Sequence, residues 1–375
     1  MFYKTAYLPI LHAILATLVV AHSSPNYHLD TTWSPQFPHG THTFSAVGVS
    51  YNKNDQKKSV YCTQRGNSTL QPVQVLSSDG TFLSSWGAAD VAIATPGKTW
   101  GAHGLSIERC ENNCDGGQSS SDPNLRVWIE DFTNHTVTAF TSDGKKLLQV
   151  GTPGIAGNGT SPLQFDHVAD AVVVSAPSGM TSVYASDGDG GYANRVSKFN
   201  VDNNNNEVQT EWVTDHVFNN PHSIAMHQPS GLLIVADREQ QALKLINSQD
   251  GTVLPGNFNC HLSFGTNTTG VPFGVRTYYK KSSLLSSNMD VNLLFVASMD
   301  NPQDHKHQKI SVLDVSKLTL EDGVDSECFL IQELLIDPQE YSGPHLMGVD
   351  PENGDLYAAL VADVPHSTVL RFTMK

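Results

Sequence analysis

FNNPHSIAMHQPSGLLIVADREQQALKLINSQDG, Phe218 to Gly251, decides the fold. A Pro-His entry leads into a short apolar run, Ser223–Met226, and a turn at Gln228-Pro-Ser-Gly231. A second run, Leu232–Ala236, ends in the charged tip Asp237-Arg238-Glu239. A third, Ala242–Ile246, ends in Asp250-Gly251. Short β-branched and aliphatic runs separated by such turns read as consecutive antiparallel strands. A unit of about 40 residues built this way has the size of one propeller blade.

The same phrase recurs along the chain. Units of this kind are predicted over Phe44–Gly87, Trp100–Gly151, Phe165–Val213, Phe218–Gly251, a diverged Val271–Ile336, and Tyr341–Lys375. No stretch carries a convincing helical period over more than two turns. Radial packing buries the blade faces and most strand edges, so the expectation is an all-β, six-bladed β-propeller spanning 44–375. Residues 25–43 read as an N-terminal extension. Residues 1–24 read as a signal peptide, with Lys4, the apolar run Leu8–Val20 and small residues at Ala21–Ser24. That run is short for a membrane span. The mature chain is therefore expected to have no membrane span and to be secreted or held in the secretory lumen.

Sequons at Asn67, Asn134, Asn158 and Asn267 agree with that compartment as candidate glycosylation sites. The five cysteines predict at least one disulfide. Cys110 with Cys114 and Cys260 with Cys328 are candidate pairs, leaving Cys62 as a buried thiol. The formal charge of −15 argues against nucleic acid and anionic membrane surfaces as partners.

Three blade starts align as Trp-Gly-Ala-His103-Gly, Asn-Asn-Pro-His222-Ser and Ser-Gly-Pro-His345-Leu. They recur at intervals of about 120 residues, or two blades. The intervening units carry Ala169 and, approximately, Phe273 at this place. In a six-bladed ring such positions lie on alternate blades and converge on the axis with three-fold geometry. Three neutral imidazoles so placed suit zinc with an open fourth position. His135, His261, His305, His307 and His366 share no register and read as solvated.

A second register follows the next strand, where Gln64-Arg65-Gly66 matches Asp237-Arg238-Glu239. These blades face each other across the axis, and two guanidiniums there form a candidate clamp for a carboxylate. The third unit carries Ser186-Asp-Gly-Asp-Gly-Gly-Tyr192 at the same place. Its glycines let the loop bend and bring Tyr192 towards the axis as a candidate general base. Asp187 and Asp189 are alternative oxygen ligands for calcium, although the twelve-residue calcium loop pattern is absent.

The repeats resemble NHL repeats. From about Tyr61 onward these registers also resemble peptidyl-α-hydroxyglycine α-amidating lyase, the lyase half of peptidylglycine α-amidating monooxygenase. The resemblance is carried by Gln64-Arg65-Gly66, His103-Gly-Leu-Ser106, Ser186-Asp-Gly188 with Tyr192, Pro221-His222-Ser223, Val235-Ala-Asp-Arg-Glu239 and Pro344-His345. It implies a zinc-dependent lyase that cleaves a C-terminal peptidyl-α-hydroxyglycine to a peptide amide and glyoxylate. His103, His222 and His345 would hold zinc. Arg65 and Arg238 would bind the substrate carboxylate, and Tyr192 would take the hydroxyl proton. The partners implied are that peptide and a separate copper monooxygenase acting upstream.

Three positions depart from the family's pattern. Leu346 stands where the family has a calcium-binding Asp, which leaves a structural calcium open. Gly343 replaces a Met, and Ala193 replaces a disulfide Cys. Two further readings stand beside the lyase: a non-catalytic NHL propeller serving as a binding scaffold, and a metal-dependent propeller hydrolase with an axial calcium.

Overall fold

The computed structural model describes residues 25–38, 43–65, 67–92, 101–111, 113–114, 117, 120–265, 270–282, 290–299, 308–338, 340–361 and 368–375. The signal-peptide segment 1–24, Gly66, the sequon Asn267 and the histidines His305, His307 and His366 lie outside the described residues.

Six antiparallel sheets are formed among the described residues. Their innermost strands are Phe44–Asn52, Ala102–Arg109, Val168–Ser175, Pro221–His227, Val271–Lys280 and Gly343–Val349. Each touches the next, and the sixth touches the first, so the sheets close into a ring of six blades. The stretch that decided the fold is the fourth blade, with strands Pro221–His227, Leu232–Asp237 and Ala242–Asn247.

The core explains why the strands carry unbroken apolar runs rather than simple alternation. Both faces of a blade pack on neighbouring blades. Leu232, Leu233, Ile234, Val235 and Ala236 are accordingly all fully buried. The apolar clusters sit between blades. One joins Phe295 and Ala297 of blade five to Leu356 and Leu360 of blade six. Another joins Tyr184 and Val196 of blade three to Ile224 and Leu233 of blade four. Each fully buried aliphatic side chain contributes about 1.5–3 kcal/mol. The outermost strands face solvent, as in Glu207–Val213 of blade three.

The extension before Phe44 is not an appendage, which corrects the domain boundary read from the sequence. Tyr27–Leu29 pairs antiparallel with the last strand, Val369–Met374, and becomes the outer strand of blade six. Tyr27 is buried, its hydroxyl donating to the carbonyl of Gly354 at 2.9 Å. Tyr27–Leu29 and Val369–Met374 therefore share one blade and fasten the ring.

Cys110–Cys114 and Cys260–Cys328 are disulfides, and Cys62 is a buried free thiol. Among the described sequons, Asn158 is exposed and Asn67 is half-buried. The side-chain amide of Asn134 donates to Asp131 Oδ2 at 3.0 Å, so the nitrogen that would carry a glycan is already engaged.

Candidate metal centre

Every blade places one irregularity at the same point of its innermost strand. The pairing with the second strand shifts register at Ser45, His103, Ala169, His222 and Phe273, and across His345-Leu346. A bulge of this kind re-aims a side chain and frees backbone groups from the ladder. Both consequences are used here. His103, His222 and His345, on alternate blades, turn into the axis with ring centroids 4.7–4.8 Å apart. The intervening blades supply the freed carbonyls. His103 Nδ1 lies 2.7 Å from Ala169 O, His222 Nδ1 2.7 Å from Phe273 O, and His345 Nδ1 2.6 Å from Ser45 O.

A carbonyl oxygen only accepts, so each Nδ1 carries the hydrogen. Each Nε2 is then a lone pair turned inward. The ligand atoms of the three rings lie within 4.8 Å of one another, and the rings are buried. His222 Nε2 is buried without a hydrogen-bond partner. Burial, before any neighbouring charge, pushes all three imidazoles below their ordinary range, well below it for His222 and His345. Neutral, pre-oriented imidazoles with converging lone pairs fit zinc.

Close backbone approach is part of the construction. A Cβ on Gly274, next to Phe273, would stand 2.3 Å from His345 O. A Cβ on Gly343 would stand 2.1 Å from Met299 Sδ, so a methionine from blade five fills the space that this glycine leaves. Leu346 packs in an apolar cluster with Ala46, Ala102 and Leu105 and offers no oxygen. Below the histidines, Arg276 makes a two-pronged pair with Asp170, at 2.6 and 2.8 Å.

The second strands set the rim. Asp131, Asp187 and Asp237 end those strands in blades two, three and four, all buried. Asp187 Oδ1 accepts from the backbone N–H of Asp166 and His167, each at 2.9 Å. Asp237 Oδ1 accepts likewise from Asn219 and Asn220, at 3.1 and 2.8 Å. The residue after each aspartate is thereby held at the mouth. Arg238 N–H donates to Asn220 O at 2.9 Å, and Arg65 N–H to Thr43 O at 2.7 Å, which confirms their shared register. Arg65 is buried and also donates from Nε to Ala102 O at 3.2 Å. Burial lowers its pKa to about 10, with the Asp189 and Asp131 carboxylates acting the other way. Arg238 lies over the Phe273 ring, 5.1 Å from its centroid.

The third blade departs from expectation. Tyr192 is 57% exposed, and its backbone N–H donates to Asp166 Oδ2. Its side chain is turned to solvent rather than into the axis. The residue its loop delivers instead is Asp189. Asp189 Oδ2 lies 3.0 Å from His103 Nε2 and 3.8 Å from His222 Nε2. Its Oδ1 pairs with Arg238 Nη1 at 3.1 Å. Asp187 points elsewhere, pairing with Arg195 at 3.2 Å, so the two aspartates do not form one calcium site. Burial works against ionisation of Asp189; His222 and His103, to the extent that they are protonated, and the Arg238 guanidinium favour it and pull its carboxyl below the usual range.

His135, read as solvated, is half-buried and joins Asp166 and His167 in a second group of potential ligands. His167 stacks on Phe132 at 4.2 Å between centroids, and Phe132 in turn faces His103 at 6.1 Å. His261 is exposed, as expected.

No protein-family model matches the chain. Two curated relatives are NHL repeat-containing protein 3 of Mus musculus, 28% identical over 340 residues, and its Homo sapiens namesake, 29% identical over 340 residues. Each alignment covers 89% of this chain and 81% of the relative. A gluconolactonase from Xanthomonas campestris superposes with a TM-score of 0.50 at 14% identity, covering 89% of this chain and 87% of that one. A protein of unknown function from Bacteroides thetaiotaomicron superposes with a TM-score of 0.52 at 12% identity, covering 94% and 76%. At such identities the superpositions speak to fold alone. They agree with the six-bladed β-propeller seen here, and the two sequence relatives are NHL repeat-containing proteins by name.

Proposed function

We propose that the chain is a secreted, zinc-dependent lyase that converts a C-terminal peptidyl-α-hydroxyglycine to a peptide amide and glyoxylate. The observation that carries this reading is the inward convergence of three Nε2 lone pairs beside two arginines. His103, His222 and His345 would hold the metal. Zinc bound there supplies a Lewis acid that makes a neighbouring hydroxyl more acidic.

The substrate presents a hydroxyl and a carboxylate on one carbon. Arg238 and Arg65 lie on opposite blades beside the histidines and suit that carboxylate. The proton acceptor that the geometry offers is Asp189, not Tyr192. As the hydroxyl O–H proton passes to Asp189, its electron pair forms the aldehyde C=O. The C–N bond breaks, and its electrons stay on the amide nitrogen, which takes up a proton. The products are RCONH₂ and glyoxylate, so atoms and charge balance. A separate copper monooxygenase would supply the hydroxylated peptide.

A second reading, a binding scaffold without turnover, is favoured by one observation: Asp189 stands in the position a substrate must reach. Incubating the zinc-loaded protein with an α-hydroxyglycine-extended peptide separates the two. Glyoxylate release that is lost in His222→Ala supports the lyase. Stoichiometric zinc with no glyoxylate sinks it and leaves the scaffold.

A further inference from the structure

We infer that Asp189 is a fourth protein ligand of the zinc held by His103, His222 and His345, and that a carboxylate substrate must displace it from both the metal and Arg238. The inference rests on the zinc reading above and deepens it.

His103 and Asp189 face each other as two acceptors. His103 Nδ1 is tied to the carbonyl of Ala169, so a neutral His103 has no hydrogen on Nε2. Yet Asp189 Oδ2 lies 3.0 Å from that Nε2. With the ring neutral, neither atom can donate to the other, and both side chains are largely buried. A lone pair and a carboxylate oxygen at this distance call for a shared cation.

The spacing of Asp189 from the histidines suits a shared ion. Ligands bound at about 2.0–2.1 Å in a tetrahedron are separated by about 3.4 Å along each edge. Asp189 Oδ2 is 3.0 and 3.8 Å from two of the three Nε2 atoms, which brackets that edge.

The Asp189 carboxylate is held at its other oxygen as well. Oδ1 pairs with Arg238 Nη1 at 3.1 Å and accepts from Asn220 Nδ2 at 3.3 Å, so the second oxygen is left for one metal bond. The loop is anchored on both sides of Asp189. Gly188 and Asp189 N–H donate to His167 O at 2.9 and 3.1 Å, and Ala193 N–H donates to Asp166 Oδ2 at 3.3 Å. Gly191 passes so close to Asp166 that a Cβ there would lie 2.0 Å from its Oδ2. The backbone thus aims Asp189 at the histidines rather than letting it find them by chance.

The consequence concerns what the site accepts. Arg238 and the metal's fourth position are both taken by one carboxylate, so a ligand that replaces it needs a carboxylate for Arg238 and a second oxygen for the metal. A small α-hydroxy acid unit has both. The same displacement frees Asp189, beside the incoming hydroxyl, to accept a proton.

The test uses the full secreted chain, loaded with zinc for affinity and with cobalt(II) for spectroscopy. Zinc affinity is measured by chelator competition for wild type, Asp189→Ala and Asp189→Asn. Each protein's fold is checked by circular dichroism, and the Asn variant keeps the side-chain shape. The expected result is one zinc per chain in wild type, at least a tenfold weaker zinc affinity in both variants, and a changed cobalt absorption spectrum. Added acetate should further shift the cobalt spectrum of Asp189→Ala at concentrations that leave wild type unmoved. Zinc held equally tightly by wild type and both variants, with identical cobalt spectra, would overturn the inference and leave the three-histidine centre standing. A wild type that takes up no zinc would remove the inference and the zinc reading together.

Discussion

His222 and Phe273 occupy the same bulge in neighbouring blades, and the Nδ1 of one lies 2.7 Å from the carbonyl oxygen of the other. The pairing repeats around the axis as His103 with Ala169 and His345 with Ser45. Alternate blades therefore supply the imidazoles, and the blades between them supply the backbone that orients those rings. The orienting groups are carbonyls, so the Phe273 side chain is dispensable for metal. Phe273→Leu should retain one zinc per chain by metal analysis. Gly274→Ala should not be tolerated so well, because its Cβ would stand 2.3 Å from His345 O. Overpacking of this kind costs about 1–3 kcal/mol, and both thermal stability and zinc affinity should fall.

Arg238 and Tyr192 separate the observed site from the one the sequence predicts. Arg238 is salt-bridged to Asp189 beside the histidines, whereas Tyr192 is 57% exposed. Arg238→Ala should lower kcat/KM for an α-hydroxyglycine peptide by about 10²–10³, the usual scale for losing a positioned charge in a closed site. Its zinc content should not change. Tyr192→Phe should stay within about threefold of wild type. A hundredfold loss in Tyr192→Phe would show that the loop brings the phenol inward during turnover and would restore it as the base.

Glu130 predicts how stability varies with pH. Both its carboxyl oxygens are buried without a hydrogen-bond partner. Burial, and next the Asp170 carboxylate, raise its pKa well above the ordinary 4.5, while Arg276 works the other way. The folded state keeps a proton that the unfolded state gives up. Stability is therefore full below the ordinary value, falls as pH rises from there, and levels off above the raised value. The slope in that window is about 1.4 kcal/mol per pH unit. Denaturant unfolding between pH 4 and 8 should show this loss in wild type but not in Glu130→Gln. Parallel curves for the two proteins would refute it.

The cysteines give a stability test. Cys260 and Cys328 close a loop with a sequence separation of 68, packed in the cluster between blades four and five. Loop entropy puts the contribution of such a bridge at about 4 kcal/mol. Replacing both with serine should lower the unfolding midpoint accordingly. Burial pushes the Cys62 thiol up, out of the reactive range. A thiol reagent should label it only after unfolding, and rapid labelling of the native protein would contradict the buried position.

Much of this was legible in the chain. A histidine just before an apolar run, repeated two blades apart, marked His103, His222 and His345 because strand periodicity and blade length act together. Arg65 and Arg238 were legible for the same reason. Asp189 was not. Its loop carries Gly188, Gly190 and Gly191, and a glycine-rich segment does not specify which of Asp189 and Tyr192 faces inward. The intervening bulges left no mark in residue type, since Ser45, Ala169 and Phe273 orient the histidines through their carbonyls. Nor did three residues at Tyr27–Leu29 announce a strand, because what makes them one is the free edge of Val369–Met374 at the far end of the chain.

The most direct measurement is the zinc content of the purified protein and of its His103→Ala, His222→Ala and His345→Ala variants. The account predicts one zinc per chain in wild type and a loss of stoichiometric zinc in every variant, each still folded by circular dichroism. A wild type without zinc, or variants that keep it, would contradict the metal centre and with it the proposed chemistry.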